Sequence, residues 1–150
     1  MKKLTMILSA AVLLFSASAF ATAGVETTVN TKVKTAFQKD FSNAANVSWE
    51  KTSDFYVASF DVSNTQAEAA YNDQGELVGM SRKIATAELP LAVSLAIAKK
   101  YEGYQQAKAA VEITFENATS YYIAVANDKQ TLKLKCAANG DIVVESKSKK

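Results

Sequence analysis

Four-residue spacing of apolar side chains followed by strict alternation is the pattern of this chain, and it occurs twice. Val29, Val33, Phe37 and Phe41 recur every fourth residue with Lys32, Lys34, Gln38 and Lys39 between them. That spacing predicts an amphipathic helix with one apolar stripe. Residues 42–46, Ser-Asn-Ala-Ala-Asn, break the period. Val47 and Trp49 then alternate with Ser48 and Glu50, and Tyr56, Ala58, Phe60 and Val62 alternate with Val57, Ser59 and Asp61. Two further runs, 66–71 and 76–84, follow short polar turns. Connections this short predict four strands in an antiparallel meander.

The second pass begins at Leu89. Leu89, Val93, Ile97 and Tyr101 share one helical face, and Leu91 and Leu95 are expected to widen it, which predicts a helix more deeply buried than the first. Pro90 suits a first helical turn, where its missing N–H costs nothing, and Glu102-Gly103 ends the segment. Val111, Ile113 and Phe115 alternate with Glu112, Thr114 and Glu116, and are expected to face the core. Runs 121–126, 131–137 and 141–146 complete a second set of four strands. In the third of these four, Leu132, Leu134 and Cys136 point one way and Lys133 and Lys135 the other. Hairpins around Gly75 and Gly140 close the matching positions. The expectation is an α+β fold made of two tandem units, 29–84 and 89–147, each a helix plus four antiparallel strands. Together they form one eight-stranded sheet with both helices on one face and a polar face open to water.

The chain opens with Lys2 and Lys3, an apolar stretch over 4–20 and Ala21-Thr22-Ala23. This predicts an export signal over 1–23 cleaved before Gly24, with Ala19-Phe20-Ala21 as a second site. The mature chain, 24–150, is then a single domain with no membrane span, located in the periplasm or secreted. Export also changes the charge. The whole chain has 17 basic and 15 acidic residues, and loss of Lys2 and Lys3 leaves 15 of each. A nucleic-acid partner calls for a basic excess or stripe, so this class is excluded. The one cysteine allows no intrachain disulfide, and a domain of this length can build a core without one.

Phe41 followed by Val47-Ser48-Trp49, then Tyr56, Ala58 and Phe60, then Ala70-Tyr71 leading to Gly75, form one set of residues with a family likeness. Leu89-Pro90, Val93, Ile97, the run 101–104 (Tyr-Glu-Gly-Tyr) and the Gly140 hairpin form the second set. On these positions the chain resembles the PepSY-like proteins of the β-lactamase-inhibitor-like (BLIP-like) fold, small exported proteins common in Bacteroidota. Glu102 stands where that family often has Pro, and Cys136 where an aromatic or polar residue is more usual. The resemblance implies the two-unit architecture. It also implies protein binding, because PepSY-type domains accompany peptidase propeptides and better-known relatives of the fold cover enzyme active sites. The residues with which those inhibitors plug their targets have no match here.

The chain contains no histidine, which removes the commonest general base, the usual triads and most zinc sites. Cys136 has no His partner, and alternation places it beside Leu134 as a small core residue. Glu112 and Glu116 share one strand face, with Glu145 and Lys133 near. A solvated face with cross-strand charge pairs accounts for them. The run 72–76, Asn-Asp-Gln-Gly-Glu, lacks the alternating ligands of a calcium loop and reads as a turn needing positive φ at Gly75. No catalytic residue, metal site or cofactor follows. Trp49, Phe60, Phe115 and Tyr121 fall on expected core positions. Tyr122 falls on the polar face near Lys133 and Lys135, either as part of a recognition surface or as cover for Ala124 or Ala126. The expected function is a non-enzymatic exported module binding a periplasmic or extracellular protein or peptide through Glu112, Tyr122, Lys133, Lys135 and Tyr104. The alternatives are a small-ligand carrier or envelope-stress protein with a cavity lined by Trp49, Phe60 and Phe115, and a hydrolase that would need clustered carboxylates in a cleft.

Overall fold

The computed structural model describes residues 28–150, so the predicted signal segment lies outside the described residues. The first unit consists of α1 (Thr31–Asp40), β1 (Ala45–Lys51), β2 (Tyr56–Val62), β3 (Thr65–Tyr71) and β4 (Leu77–Ala85). A 3-10 turn (Thr86–Glu88) leads into α2 (Leu91–Lys100), β5 (Gln105–Gln106), β6 (Ala109–Phe115), β7 (Ala118–Ala126), β8 (Gln130–Ala137) and β9 (Ile142–Lys149). Every strand pair is antiparallel, in the order β1-β2-β3-β4-β6-β7-β8-β9. The β4–β6 pair joins the units, with Ile84 opposite Ala110 and Gly79 opposite Phe115. The two-residue β5, which pairs with the end of β7, is a ninth strand too short to show alternation.

The duplication holds at the level of turns and helix contacts. Asn30 caps α1 by accepting from the Lys32 N–H at 2.8 Å, and its amide donates to the Asp73 carbonyl at 2.9 Å, tying the helix to the first hairpin. Gly75 and Gly140 both adopt positive φ, 82° and 94°. A Cβ on Gly75 would meet the Lys32 carbonyl oxygen at 2.9 Å, and one on Gly140 the Ala92 carbonyl oxygen at 2.8 Å. Lys32 and Ala92 are each the second residue of their helix. The β2–β3 and β6–β7 connections occupy different places in the two units but share one geometry. Ser63-Asn64 and Glu116-Asn117 are two-residue loops with both residues at positive φ, the geometry that suits the twist of a tight hairpin.

Each helix buries its stripe against its own half of the sheet, and both lie on the same side. Val33 and Phe37 pack with Tyr56, Ala58, Phe60, Ala67, Ala69 and Tyr71. Val93 and Ile97 pack with Ile84, Ala110, Ile123, Val125, Leu134 and Cys136. The second helix is not the more deeply buried one. Leu91 and Leu95 are 74% and 61% exposed, because at about 100° per residue they stand opposite Val93 and Ile97. Strand β6 also differs from expectation. Pairing with β4 puts Ala110, Glu112 and Thr114 on the helix side and Val111, Ile113 and Phe115 on the open side. Glu112 and Thr114 are tolerated on the helix side because they fall between the two cores, in neither of them.

Candidate functional site

The open side of the sheet is the candidate interaction surface, since both helices cover the other side. Cross-strand registry defines its composition. One row runs Ser48, Ser59, Glu68, Ser81, Ile113, Ser120 and Ala137 across seven strands. A neighbouring row runs Lys83, Val111, Tyr122, Lys135 and Val143. The face is therefore mixed, not simply polar.

Tyr122 is held in the β7–β8 half of this face. Its side chain is only 5% exposed, and the Nζ atoms of Lys133 and Lys135 each lie 5.8 Å from its ring centroid. Two lysine stems thus cover the ring while their ammonium groups stay at the surface, an arrangement favoured by the negative face of the ring. Burial, and secondarily the Glu145 carboxylate, push the Tyr122 phenol up to about 12. The phenol is neutral at physiological pH, and the group presents two cations over an aromatic plate.

Glu112 and Tyr104 do not belong to that group. Glu112 sits on the helix side, where its carboxylate accepts from Arg82 Nε at 2.7 Å and faces the buried Tyr121 opposite. Burial, followed by the Glu112 charge, raises the Tyr121 phenol, with Arg82 opposing. Tyr104 packs beside the second core, edge to face with Tyr101 at 5.7 Å, and its hydroxyl accepts from Gln130 Nε2. The structure brings together Tyr122, Lys133 and Lys135 only. The error over Glu112 has a physical source. Alternation assigns residues to two faces but does not say which face is which when both carry apolar groups.

Sequence reasoning missed the other half of the face. Glu68 on β3 is half-buried, and its two carboxylate oxygens accept from Ser59 Oγ at 3.5 Å and Ser81 Oγ at 3.3 Å. Ser81 itself is buried. Desolvation raises the Glu68 carboxyl above the ordinary carboxylate range, the two serines pull it back, and Glu50 raises it further. Beside it Val57 is buried on the open side, and Phe55 meets Phe115 edge to face at 6.3 Å. Gly79 has a local role here: a Cβ would lie 2.8 Å from Phe115 Cδ2, so its absence lets the ring lie against β4. Glu68 alternates with Ala67 and Ala69 in the sequence, a signal that could have set it outward, but only the registry with β2 and β4 shows the serines on either side of it.

Cys136 is fully buried, and burial raises its thiol, with Lys100 acting in the opposite direction. Among the described residues no group of three or more His, Cys, Asp or Glu side chains is placed to hold a metal ion. No helix of the described residues is long and apolar enough to cross a membrane. Trp49 and Phe60 pack into the first core around Phe37, at 5.2 and 5.0 Å, whereas Phe115 lies on the opposite side of the sheet. The three cannot line one cavity.

No protein-family model matches the chain, and no curated protein gives a significant sequence match. Solved structures do share its fold. A DUF2874 family protein from Bacteroides uniformis superposes with a TM-score of 0.67 at 20% identity, covering 81% of this chain and 89% of that one. A candidate periplasmic protein from Bacteroides eggerthii gives 0.69 at 19% identity, covering 82% and 90%. A BLIP-like protein from Bacteroides fragilis gives 0.64 at 18% identity, covering 80% and 85%. The chain thus has the BLIP-like fold, as its core and turn positions implied.

Proposed function

We propose that this chain is an exported, non-enzymatic binding module that contacts a protein or peptide through the open side of its sheet. The observation that carries the proposal is the pairing of an uncovered sheet face with an ordered Tyr122–Lys133–Lys135 group on it. The buried Tyr122 ring holds the two lysines on a rigid strand pair, so that two positioned cations are presented at low entropic cost. The BLIP-like fold supports the same reading, with coverage of an enzyme's active site as its concrete form. Export is supported by Lys2-Lys3, the apolar run and Ala21-Thr22-Ala23. A buried Cys136 and a chain without histidine support a role other than catalysis. The carrier alternative loses its support, because its expected lining residues divide between the two sides of the sheet.

The test is site-specific photo-crosslinking in the native host. A photoreactive side chain at Gln66 or Lys83, both exposed on the open side, should give a discrete protein adduct. The same group at Leu95, on the solvent side of α2, should give none. Adducts from Leu95 alone would move the binding surface to the helices and overturn the proposal.

A further inference from the structure

We infer that the Glu68 end of the open face is a docking position for a basic side chain, lysine or arginine, presented by the bound protein or peptide. The inference rests on the open face being the binding surface, and it names the chemistry that face takes.

Three observations carry it. The first is an incomplete ion pair. Glu68 is a half-buried carboxylate whose partners are two neutral hydroxyls at 3.3 and 3.5 Å, long for bonds to an ionised group. The ion pairs found among the described residues use Asp73 and Glu112, so no lysine or arginine there reaches Glu68 within 4.0 Å. Lys83 is the nearest in registry, two residues along β4 from Ser81, but it is exposed and diagonal to Glu68. Desolvating a carboxylate without supplying a cation destabilises the folded chain, and an incoming cation would reverse that cost.

The second observation is the sign of the surroundings. The open side of β1–β3 carries Glu50, Asp61 and Glu68 and no basic residue. Lysines return only at Lys83 and then at Lys133 and Lys135 on β8. A basic group is therefore drawn to the β1–β3 half of the face and not to the lysine pair, which Glu145 only partly offsets, so the charge pattern orients the ligand as well as attracting it.

The third is the apolar ground beside the charge. Phe55 and Phe115, each partly exposed and in contact edge to face, lie on the same side beside the buried Val57 and offer apolar surface to the alkyl stem of a long basic side chain. Lysine and arginine combine that stem with a terminal cation. A free metal ion or a simple ammonium would use the charge and leave the apolar wall unused.

The test uses N-acetyl-arginine methylamide as the probe against the mature chain, with the Glu68 carboxyl carbon followed by NMR. The expected result is a saturable shift of that resonance and a lower titration midpoint for Glu68, with no effect from the neutral isostere N-acetyl-citrulline methylamide. Glu68→Gln should abolish the probe's effect on neighbouring signals from Ser59 and Ser81. The carboxyl titration needs no variant, so a misfolded Glu68→Gln would not remove the test. No saturable shift up to the solubility limit of the probe, or an equal response to citrulline, would overturn the inference. Crosslinking from Gln66 or Lys83 distinguishes the two failures. Adducts without an arginine response leave the binding face standing and remove only the basic anchor, whereas absence of both removes the face itself.

Discussion

The two halves of this sheet share a frame and differ in what fills it. In the first, Phe37 stands at the centre of an aromatic cluster with Trp49, Phe60 and Tyr71, at ring separations of 5.2, 5.0 and 6.4 Å. In the second, the equivalent helical position is Ile97, surrounded by Ile123, Val125, Leu132 and Leu134. The outer faces differ too: hydroxyls and carboxylates on β1–β3, an aromatic ring under two lysines on β7 and β8. One backbone feature has stayed common to both halves, namely the hairpin glycine set against each helix's second residue. Duplication thus preserves where elements must approach closely, while volume and polarity are free to diverge provided each core stays filled.

The largest expected effect tests the difference in filling. Phe37→Ala should destabilise the domain by about 3–5 kcal/mol, because Trp49, Phe60, Tyr71 and also Phe41, at 5.5 Å, lose a common partner. Ile97→Ala should cost about 2–4 kcal/mol, since a smaller side chain leaves a smaller cavity among aliphatic residues. Chemical denaturation of both variants measures the pair. Equal losses would show that the two cores respond alike despite their composition. Trp49 lies half-buried at the edge strand β1, so its truncation should cost less than that of Phe37.

The next effect tests the sameness of the frame. Gly75→Ala and Gly140→Ala should each destabilise by about 1–3 kcal/mol, and by similar amounts. Each places a Cβ within 2.9 Å of a helix carbonyl oxygen and forces an alanine into positive φ. Thermal melts of the two variants would separate by more than experimental scatter only if one hairpin can yield and the other cannot. Such a split would mean that the apparent equivalence of Gly75 and Gly140 is geometric but not energetic.

Much of this architecture was legible in the chain. Val33, Phe37, Val93 and Ile97 marked the buried helix positions, because a four-residue period has a single physical meaning on an amphipathic surface helix. Gly75 and Gly140 marked the hairpins because positive φ has few tenants. Strand faces were harder to read. Val111, Ile113 and Phe115 look like core in isolation, and only their pairing with Lys83, Ser81 and Gly79 assigns them to the open side. Leu91 and Leu95 misled because a leucine at nearly the right spacing was counted with a stripe it opposes. The lysines over Tyr122 could be anticipated, being two residues apart on one strand. The serines beside Glu68 could not, because they come from strands 9 and 13 residues away in sequence, joined only by registry.

The smallest effects compare two carboxylates on opposite sides of the sheet. Glu112 has a cation, Arg82, at 2.7 Å, on a partly solvated strip between the cores. Glu112→Gln should therefore destabilise slightly, by about 1 kcal/mol or less at low salt, and the loss should shrink as salt screens the pair. Glu68 is half-buried with hydroxyl partners alone, and its folded-state pKa is raised. The linkage follows directly. A group that holds its proton more tightly when folded favours the folded state at pH below its ordinary value, and that contribution is lost as pH rises through the raised value. At neutral pH the ionised Glu68 is thus a net cost, which Glu68→Gln removes while keeping an acceptor for Ser59 or Ser81. The variant should be as stable as the parent or slightly more so at pH 7. It should also lose the decline in stability that the parent shows just above the ordinary carboxylate range. Urea midpoints at pH 4 and pH 7 for both variants read the comparison. If Glu68→Gln were destabilised at pH 7 as Glu112→Gln is, the carboxylate of Glu68 would already be compensated within the chain, and a basic ligand would have nothing to complete.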